Sequence, residues 1–316
     1  MYSVLVTGSA GFIGSNLADK LIADGRTVTG IDAFSEMLYP CAERMKLTEK
    51  TSLLPNYRFL RTDIRDKSAM HQAFKESQPQ KVVHLAALPG VRNSLEKPQD
   101  YYNVNLSATI ALLELCREFK VDQFVFGSSS SVYGANCPAP FREDYPADQP
   151  VSPYGASKRM AEIACYTFHH LYGLKITCLR FFTVYGPRQR PDLAIYKFFH
   201  CIRSGQPLPI YGDGSSFRDY TFVSDIVDGI VAALDRPYDF ELINLGCGTP
   251  VQLKNIVSLL ENQTGKSATL EFMPMPSVDL PLTHADISKA HKLLDYKPKV
   301  DVEEGVENFA RWFDGQ

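Results

Sequence analysis

Tyr154-Gly-Ala-Ser-Lys158 sets a phenol and an ammonium four residues apart, on one face of any helix that carries them. A tyrosine of ordinary acidity, with a pKa of about 10, is a poor base at neutral pH. A nearby positive charge favours the phenolate and moves it toward the working range. Upstream, Ser128-Ser-Ser-Ser-Val-Tyr-Gly134 follows a short apolar run, so hydroxyls stand at the end of a predicted strand, within reach of a substrate oxygen. A third set of residues opens the chain: Thr7-Gly-Ser-Ala-Gly-Phe-Ile-Gly14, with glycines at 8, 11 and 14. Glycines there permit a tight turn and let backbone approach a pyrophosphate, while a helix N-terminus supplies amide donors and a favourable dipole. Asp32 follows 18 residues beyond Gly14, where an acidic residue can bind the adenosine ribose hydroxyls. Its carboxylate would repel a 2′-phosphate, and Ala33-Phe34-Ser35 bring no arginine, so NAD is the expected cofactor. An oxidised nicotinamide ring would add to the charge favouring the Tyr154 phenolate. Asp63-Ile64, after a later strand, offers adenine a carboxylate and backbone groups; an ordinary turn is the competing reading.

These groups need a scaffold, and the first half of the chain predicts one. Val4–Thr7 reads as a strand, residues 11–24 as a helix, and Thr27–Asp32 as a second strand. Tyr57–Arg61, residues 81–86, residues 123–127 and Lys175–Phe181 are further strand candidates. Residues 101–119 and Pro153–Tyr172 carry apolar residues at helical spacing. Strand–helix–strand repetition argues for a doubly wound parallel sheet of Rossmann type, an α/β fold with helices on both faces. After Phe182 the texture changes, with Gly186, Pro187, Pro191, Gly205, Pro207, Pro209, Gly212 and Gly214 in close succession. That half is expected to be less regular and to pack at the carboxyl ends of the parallel strands, where open α/β sheets bind ligands. The expected division is a cofactor domain over 1–182, joined by some later segments, and mainly a smaller α/β substrate-binding lobe over 183–316.

Composition narrows the function classes. Lys plus Arg number 33 and Asp plus Glu 36 among 316 residues, a net charge of −3. A nucleic-acid binder would need a basic excess that is missing here. Hydrophobic residues at 45% and charged residues at 22% exclude extensive disorder. No window approaches the roughly 18 consecutive apolar residues of a membrane span. Seven widely spaced cysteines without a C-x-x-C pair read as reduced thiols of a cytoplasmic protein. The strand pattern beginning at Val4 leaves no room for an expected leader. His84, His169, His170, His200 and His284 lack ligand-like spacing, so no metal is expected.

In order along the chain, Thr7–Gly14, Asp32, Asp63-Ile64, His84-Leu-Ala-Ala87, Asn105, Ser128–Gly134, Tyr154–Lys158, Arg180–Pro187 and Arg218–Asp225 resemble the extended short-chain dehydrogenase/reductase family, in its nucleotide-sugar epimerase branch. The resemblance covers nearly the full chain. It implies that Gly8, Gly11, Phe12, Ile13, Gly14, Asp32, Asp63, Ile64, Leu85, Ala86, Ala87, Asn105, Tyr154, Lys158 and Val184 serve NAD. It implies that Ser129 supplies the catalytic hydroxyl, Tyr154 the base, and Lys158 the group that tunes it and holds the nicotinamide ribose. It further implies that Thr183 contacts the sugar, that Arg218 holds a UDP diphosphate, and that the protein is a homodimer through helices near 101–119 and 154–171.

Ser130 and Ser131 discriminate among reactions. Similar sugar 4,6-dehydratases carry Asp-Glu at these places, and related decarboxylases carry a Glu at the second. With serines the proton carrier for elimination is missing, which leaves hydride removal and return at C4. Pro89-Gly-Val-Arg92 and Tyr185-Gly-Pro-Arg-Gln-Arg-Pro-Asp-Leu-Ala194 resemble UDP-glucuronate 4-epimerases, departing from their pattern at Pro89 and Leu193. Ser130, Ser131, Thr183 and Arg92 are candidates for the uronate carboxylate, and Arg188 and Arg190 for the diphosphate. Epimerisation of UDP-glucose or UDP-N-acetylglucosamine stands as an alternative. So does an NAD-binding sensor without turnover.

Overall fold

In β1 (Ser3–Thr7), Val4 and Val6 face one helix layer and Leu5 the other, as the period of two in a strand requires. Each is almost fully buried, which marks a strand covered on both faces. The computed structural model describes residues 2–36 and 41–315. The first half alternates β1, α1 (Phe12–Ala23), β2 (Thr27–Asp32), α2 (Ala42–Thr51), β3 (Tyr57–Arg61), α3 (Lys67–Ser77) and β4 (Lys81–His84). It continues with α4 (Pro98–Tyr102), α5 (Ala108–Glu118), β5 (Gln123–Ser129), α6 (Pro153–Tyr172) and β6 (Lys175–Phe181). The second half carries β7 (Thr183–Tyr185), α7 (Ala194–Ser204), β8 (Leu208–Tyr211), β9 (Phe217–Arg218), β10 (Tyr220–Phe222), α8 (Val223–Asp235) and β11 (Phe240–Leu245). It ends with β12 (Val251–Gln252), α9 (Leu253–Thr264), β13 (Leu270–Met273), α10 (Ser288–Leu294) and α11 (Val302–Asp314).

Seven of these strands form one wholly parallel sheet in the order β11-β6-β5-β4-β1-β2-β3. The expected doubly wound α/β sheet is therefore present. Its order reverses between β1 and β4, which opens a crevice at the carboxyl ends of those strands. One face packs on α3, α5 and α6 through Met70, Phe74, Leu112, Ala161 and Cys165. The other packs on α1 and α8, and its apolar core runs without a break into the second half through Phe199, Ile256 and Phe309. Strand β11 and helix α8 come from beyond residue 182, so the later chain completes the sheet as well as building the lobe above it. Smaller pairs, β10–β7, β12–β9 and β13–β8, shape that lobe.

Two departures from the predicted elements bear on function. The strand expected over 81–86 ends at His84, because Leu85 and Ala86 bend toward the glycine turn. There the Leu85 amide donates to the Thr7 carbonyl (3.1 Å) and the Ala86 amide to Thr7 Oγ1 (3.2 Å). The helix expected over 101–119 is interrupted by a π-helical turn at Asn103–Ser107, a wider turn of the kind that recurs at functional sites. Helix α6 matches its expected limits: Ser152 caps it by accepting from the Gly155 amide, Pro153 occupies the first turn, and Gly173 ends it with φ 68°. Among the described residues no helix is long and apolar enough to cross a membrane. All seven cysteines are free thiols.

Candidate active site

The turn between β1 and α1 is held by backbone. Gly8 has φ +74° and donates to the Ile31 carbonyl (2.7 Å). A Cβ on Gly14 would lie 2.0 Å from the Gly8 oxygen, and one on Gly8 would lie 2.7 Å from the Ala86 nitrogen. The three segments meet so closely that only glycine fits. Asp32, at the end of β2, accepts from the Phe34 amide (2.8 Å) and the Ala10 amide (3.2 Å). Burial nevertheless pushes its carboxyl above the usual range, against those amides and Arg44.

From this turn a cavity of about 290 Å³ runs along the sheet ends to the start of α6. Gly8, Gly11, Phe12, Ile13, Gly14 and Asp32 line one end, and Asp63 with Ile64 one side. Leu85, Ala86 and Ala87 form its floor, and Tyr154, Lys158 and Arg190 stand at the far end. A cavity lined by an amide-rich glycine turn and a carboxylate at the end of β2 fits a dinucleotide. The remaining candidates lie elsewhere. Val184 is buried in the core of the second lobe. Asn105 is buried behind the floor: its Oδ1 accepts from the Leu88 amide (2.8 Å), while its Nδ2 donates to the Leu88 carbonyl (2.9 Å) and to Ser157 Oγ (3.0 Å). It braces the 85–88 segment, and the π-helical turn is what carries it there.

At the far end Ser129 closes β5 beside the Tyr154 phenol. Ser129 Oγ also accepts from the Ser131 amide (3.1 Å) and donates to Ser131 Oγ (3.2 Å). Lys158 Nζ donates to the Gly127 carbonyl (2.7 Å), two residues before Ser129 on the same strand. Burial raises the Tyr154 phenol above its ordinary value, opposed by the Ser129 hydrogen bond and the Arg190 charge. Burial likewise pushes the Lys158 ammonium down to about 8. Thus the phenolate expected from the Tyr–Lys spacing is not favoured by the chain alone, because burial penalises its charge more than the neighbours compensate.

The arginines are more dispersed than the sequence suggested. Arg188 pairs with Asp19 on α1 (2.7 Å) and Arg190 with Asp192 (2.8 Å). Arg92 pairs with Asp279, with Nε at 3.2 Å, and lies 3.7 Å from the centroid of the Tyr211 ring. Arg218 sits close enough to Arg92 and Asp279 to feel both charges. Thr183 opens β7, and its amide donates to the Asp219 carbonyl (3.0 Å). Ser130 and Ser131 start the half-buried turn after Ser129.

Sequence reasoning missed three neighbours. Arg44 approaches Asp32 at 3.8 Å from α2, beyond the few residues inspected after Asp32. Arg65 is bidentate on Asp63, Nε to Oδ1 at 3.0 Å and Nη2 to Oδ2 at 2.6 Å, and its i+2 spacing was a readable signal. Tyr101 packs edge-on against Tyr154 (centroids 6.3 Å apart) and donates to the Pro89 carbonyl (2.8 Å); no spacing rule points to it. Among the described residues no group of three or more His, Cys, Asp or Glu side chains is placed to hold a metal.

A family model described as the NAD dependent epimerase/dehydratase family matches residues 4–246. A UDP-glucuronate 4-epimerase of Thermodesulfobacterium geofontis is 41% identical over 309 residues, covering 98% of this chain and 95% of the relative. The crystal structure of UDP-glucuronic acid 4-epimerase from Bacillus cereus, in complex with UDP-glucuronic acid and NAD, is similar with a TM-score of 0.93 and 38% identity, covering 99% of each chain. A UDP-glucose 4-epimerase structure from Thermotoga maritima is similar with a TM-score of 0.89 and 32% identity, again over 99% of each. The similarity runs over nearly the full chain, and the chain belongs to the NAD dependent epimerase/dehydratase family.

Proposed function

We propose that the protein is an NAD-dependent UDP-sugar 4-epimerase that interconverts UDP-glucuronate and UDP-galacturonate. The observation that carries this reading is the Ser129–Tyr154–Lys158 cluster at the end of a dinucleotide-shaped cavity, followed by serines at 130 and 131. Relatives named for UDP-glucuronate support the sugar.

The glycine turn holds the NAD pyrophosphate with backbone amides, and Asp32 binds the adenosine ribose. When bound, NAD supplies an acceptor for the C4 hydride and the donor that returns it. Tyr154 takes the proton of the 4-hydroxyl with Ser129 hydrogen-bonded to its oxygen, and gives it back after the ketone has turned. Lys158 keeps a positive charge beside the ribose site and favours the phenolate. Arg218 holds the diphosphate, with Arg92, the carboxylate candidate, close beside it, an anchor about which the 4-keto sugar presents its other face. A 4-keto uronate is a β-keto acid prone to lose CO2, so Ser130, Ser131 and Thr183 hold its carboxylate still. Without a carboxylic side chain at 130 or 131, elimination lacks its proton carrier.

Purified protein given UDP-glucuronate forms UDP-galacturonate without net NADH. A UDP-4-keto-pentose with CO2 as the main products overturns the reading. A UDP-hexose substrate is the second reading, favoured because Arg92, Arg188 and Arg190 already have carboxylate partners within the chain. Competing UDP-glucuronate, UDP-glucose and UDP-N-acetylglucosamine in one assay separates the two.

We also propose a cytoplasmic homodimer. Met160, Ile163, Tyr166 and Leu171 are large apolar side chains exposed on α6, a surface that pairing would cover. Sedimentation at micromolar concentration reads the mass, and a monomer there overturns the dimer.

A further inference from the structure

Tyr154, Lys158 and Glu162 recur every four residues and form one stripe along α6. Each member meets the end of β5. Tyr154 stands beside Ser129, Lys158 bonds the Gly127 carbonyl, and Glu162 accepts from Ser128 Oγ at 2.6 Å. The mechanism above uses the first two and leaves the third unexplained. Glu162 is almost fully buried, as is Arg180 on β6, and a buried carboxylate needs a reason to persist.

Its partners supply one. Arg180 is bidentate on Glu162, Nε to Oε1 at 2.9 Å and Nη2 to Oε2 at 2.8 Å, and Arg159 reaches Oε2 at 3.0 Å. Ser128 and Arg180 are register partners on β5 and β6, and Arg180 pairs in turn with Asn244 on β11. Arg180 also lies 4.7 Å from the centroid of the Tyr133 ring, whose hydroxyl donates to Asn244 Oδ1 (2.7 Å). Tyr133 closes the turn that begins at Ser130. One buried polar row therefore ties the catalytic helix to the strand end bearing Ser129 and to the turn bearing Ser130 and Ser131.

We propose that Glu162 is a positioning residue for the catalytic site: through Ser128 and Arg180 it locks α6 onto the ends of β5 and β6, and it sets a carboxylate one turn behind Lys158. This rests on the epimerase reading. The groups facing Lys158 are Glu162 and Cys165 on α6, Cys178 on β6 and His84 on β4. His84 is held neutral, pushed down to about 3 by burial and by Lys158 itself, and the two thiols are buried. Glu162 is then the anion that opposes the loss of the Lys158 proton on burial. Its removal also leaves Arg159 and Arg180 uncompensated, so both effects pull the Lys158 pKa the same way, downward.

The test follows Lys158 by nitrogen-15 NMR of its Nζ, assigned with Lys158→Met, in the NAD-loaded protein with and without Glu162→Gln. This readout does not depend on which sugar is turned over. The expected result is a fall of about one unit or more in the Lys158 pKa. With it, kcat on UDP-glucuronate falls about tenfold near pH 8, KM stays within about twofold, and the alkaline limb of the pH profile moves to lower pH. Superimposable titrations in a folded Glu162→Gln overturn the proposal. Where Glu162→Gln does not fold, Ser128→Ala carries the test, since it removes one hydroxyl and no charge. A severalfold loss of kcat at unchanged KM and melting temperature supports positioning, and wild-type kcat overturns it. Wild-type protein inactive on every UDP-sugar would sink the epimerase reading alone, and the Nζ titration would still decide the role of Glu162.

Discussion

At the adenosine end of the cleft the contacts are made by backbone. Gly8 approaches Ala86, and Gly14 approaches Gly8, so closely that a single Cβ on either would collide. At the sugar end they are made by side chains. Arg92 reaches Asp279, and Arg190, which lines the cleft, reaches Asp192. The first end is fixed by the close approach of backbone, whereas the second is built from ion pairs between side chains. The relatives fit this contrast. Proteins named for UDP-glucose and for UDP-glucuronate share this fold at 32% to 41% identity, with NAD in the name of the shared family.

Five experiments would break or sharpen the contrast. Tyr154→Phe, where the two ends meet, should lower kcat by about 10³-fold with NAD binding unchanged, measured by turnover and by cofactor titration. Gly14→Ala should cost about 3 kcal/mol or more of stability and remove NAD binding, since its Cβ would sit 2.0 Å from the Gly8 oxygen. Wild-type NAD affinity in that variant would refute a backbone-built end.

Lys158→Met tests the join through pH. The folded Lys158 pKa, about 8, lies below the unfolded value of about 10.5. Its buried ammonium therefore costs stability below about pH 8, and that cost fades as pH rises toward 10.5. The variant should be inactive, yet more stable than wild type by about 2 kcal/mol at pH 7, with the gap closing in alkaline melts. Arg92→Ala should raise KM for the UDP-sugar about tenfold and leave NAD affinity within about twofold. Arg188→Ala breaks a partly exposed pair with Asp19 and should change stability by less than about 1 kcal/mol, with KM unmoved. A large KM effect there would bring Arg188 into the sugar site.

The same contrast governs what the sequence could reveal. The turn at 7–14 was legible because its geometry admits few residue types, and β2, β3, α6 and β6 were legible from periodicity and caps. Asn105 was named through the family pattern, but its place was not legible, because its amide turns inward on a π-helical turn that no helical period announces. Arg44 was not, because it returns to Asp32 from the next helix. The partners of Arg92 and Arg188 lie 187 and 169 residues away in the chain, and only the tertiary fold brings them together. The pairing of β11 with β6 was hidden for the same reason.

That last strand has a consequence for how the protein comes into being. A nascent chain that has emerged only as far as Phe182 owns six of the seven sheet strands but leaves β6 as a bare edge. The faces of α1 and β6 that α8 and Ile243 cover would also stand open to water. Such an intermediate invites edge-to-edge association. Truncation near residue 182 should therefore yield insoluble fragments, and the full chain should melt in a single transition shared by both halves.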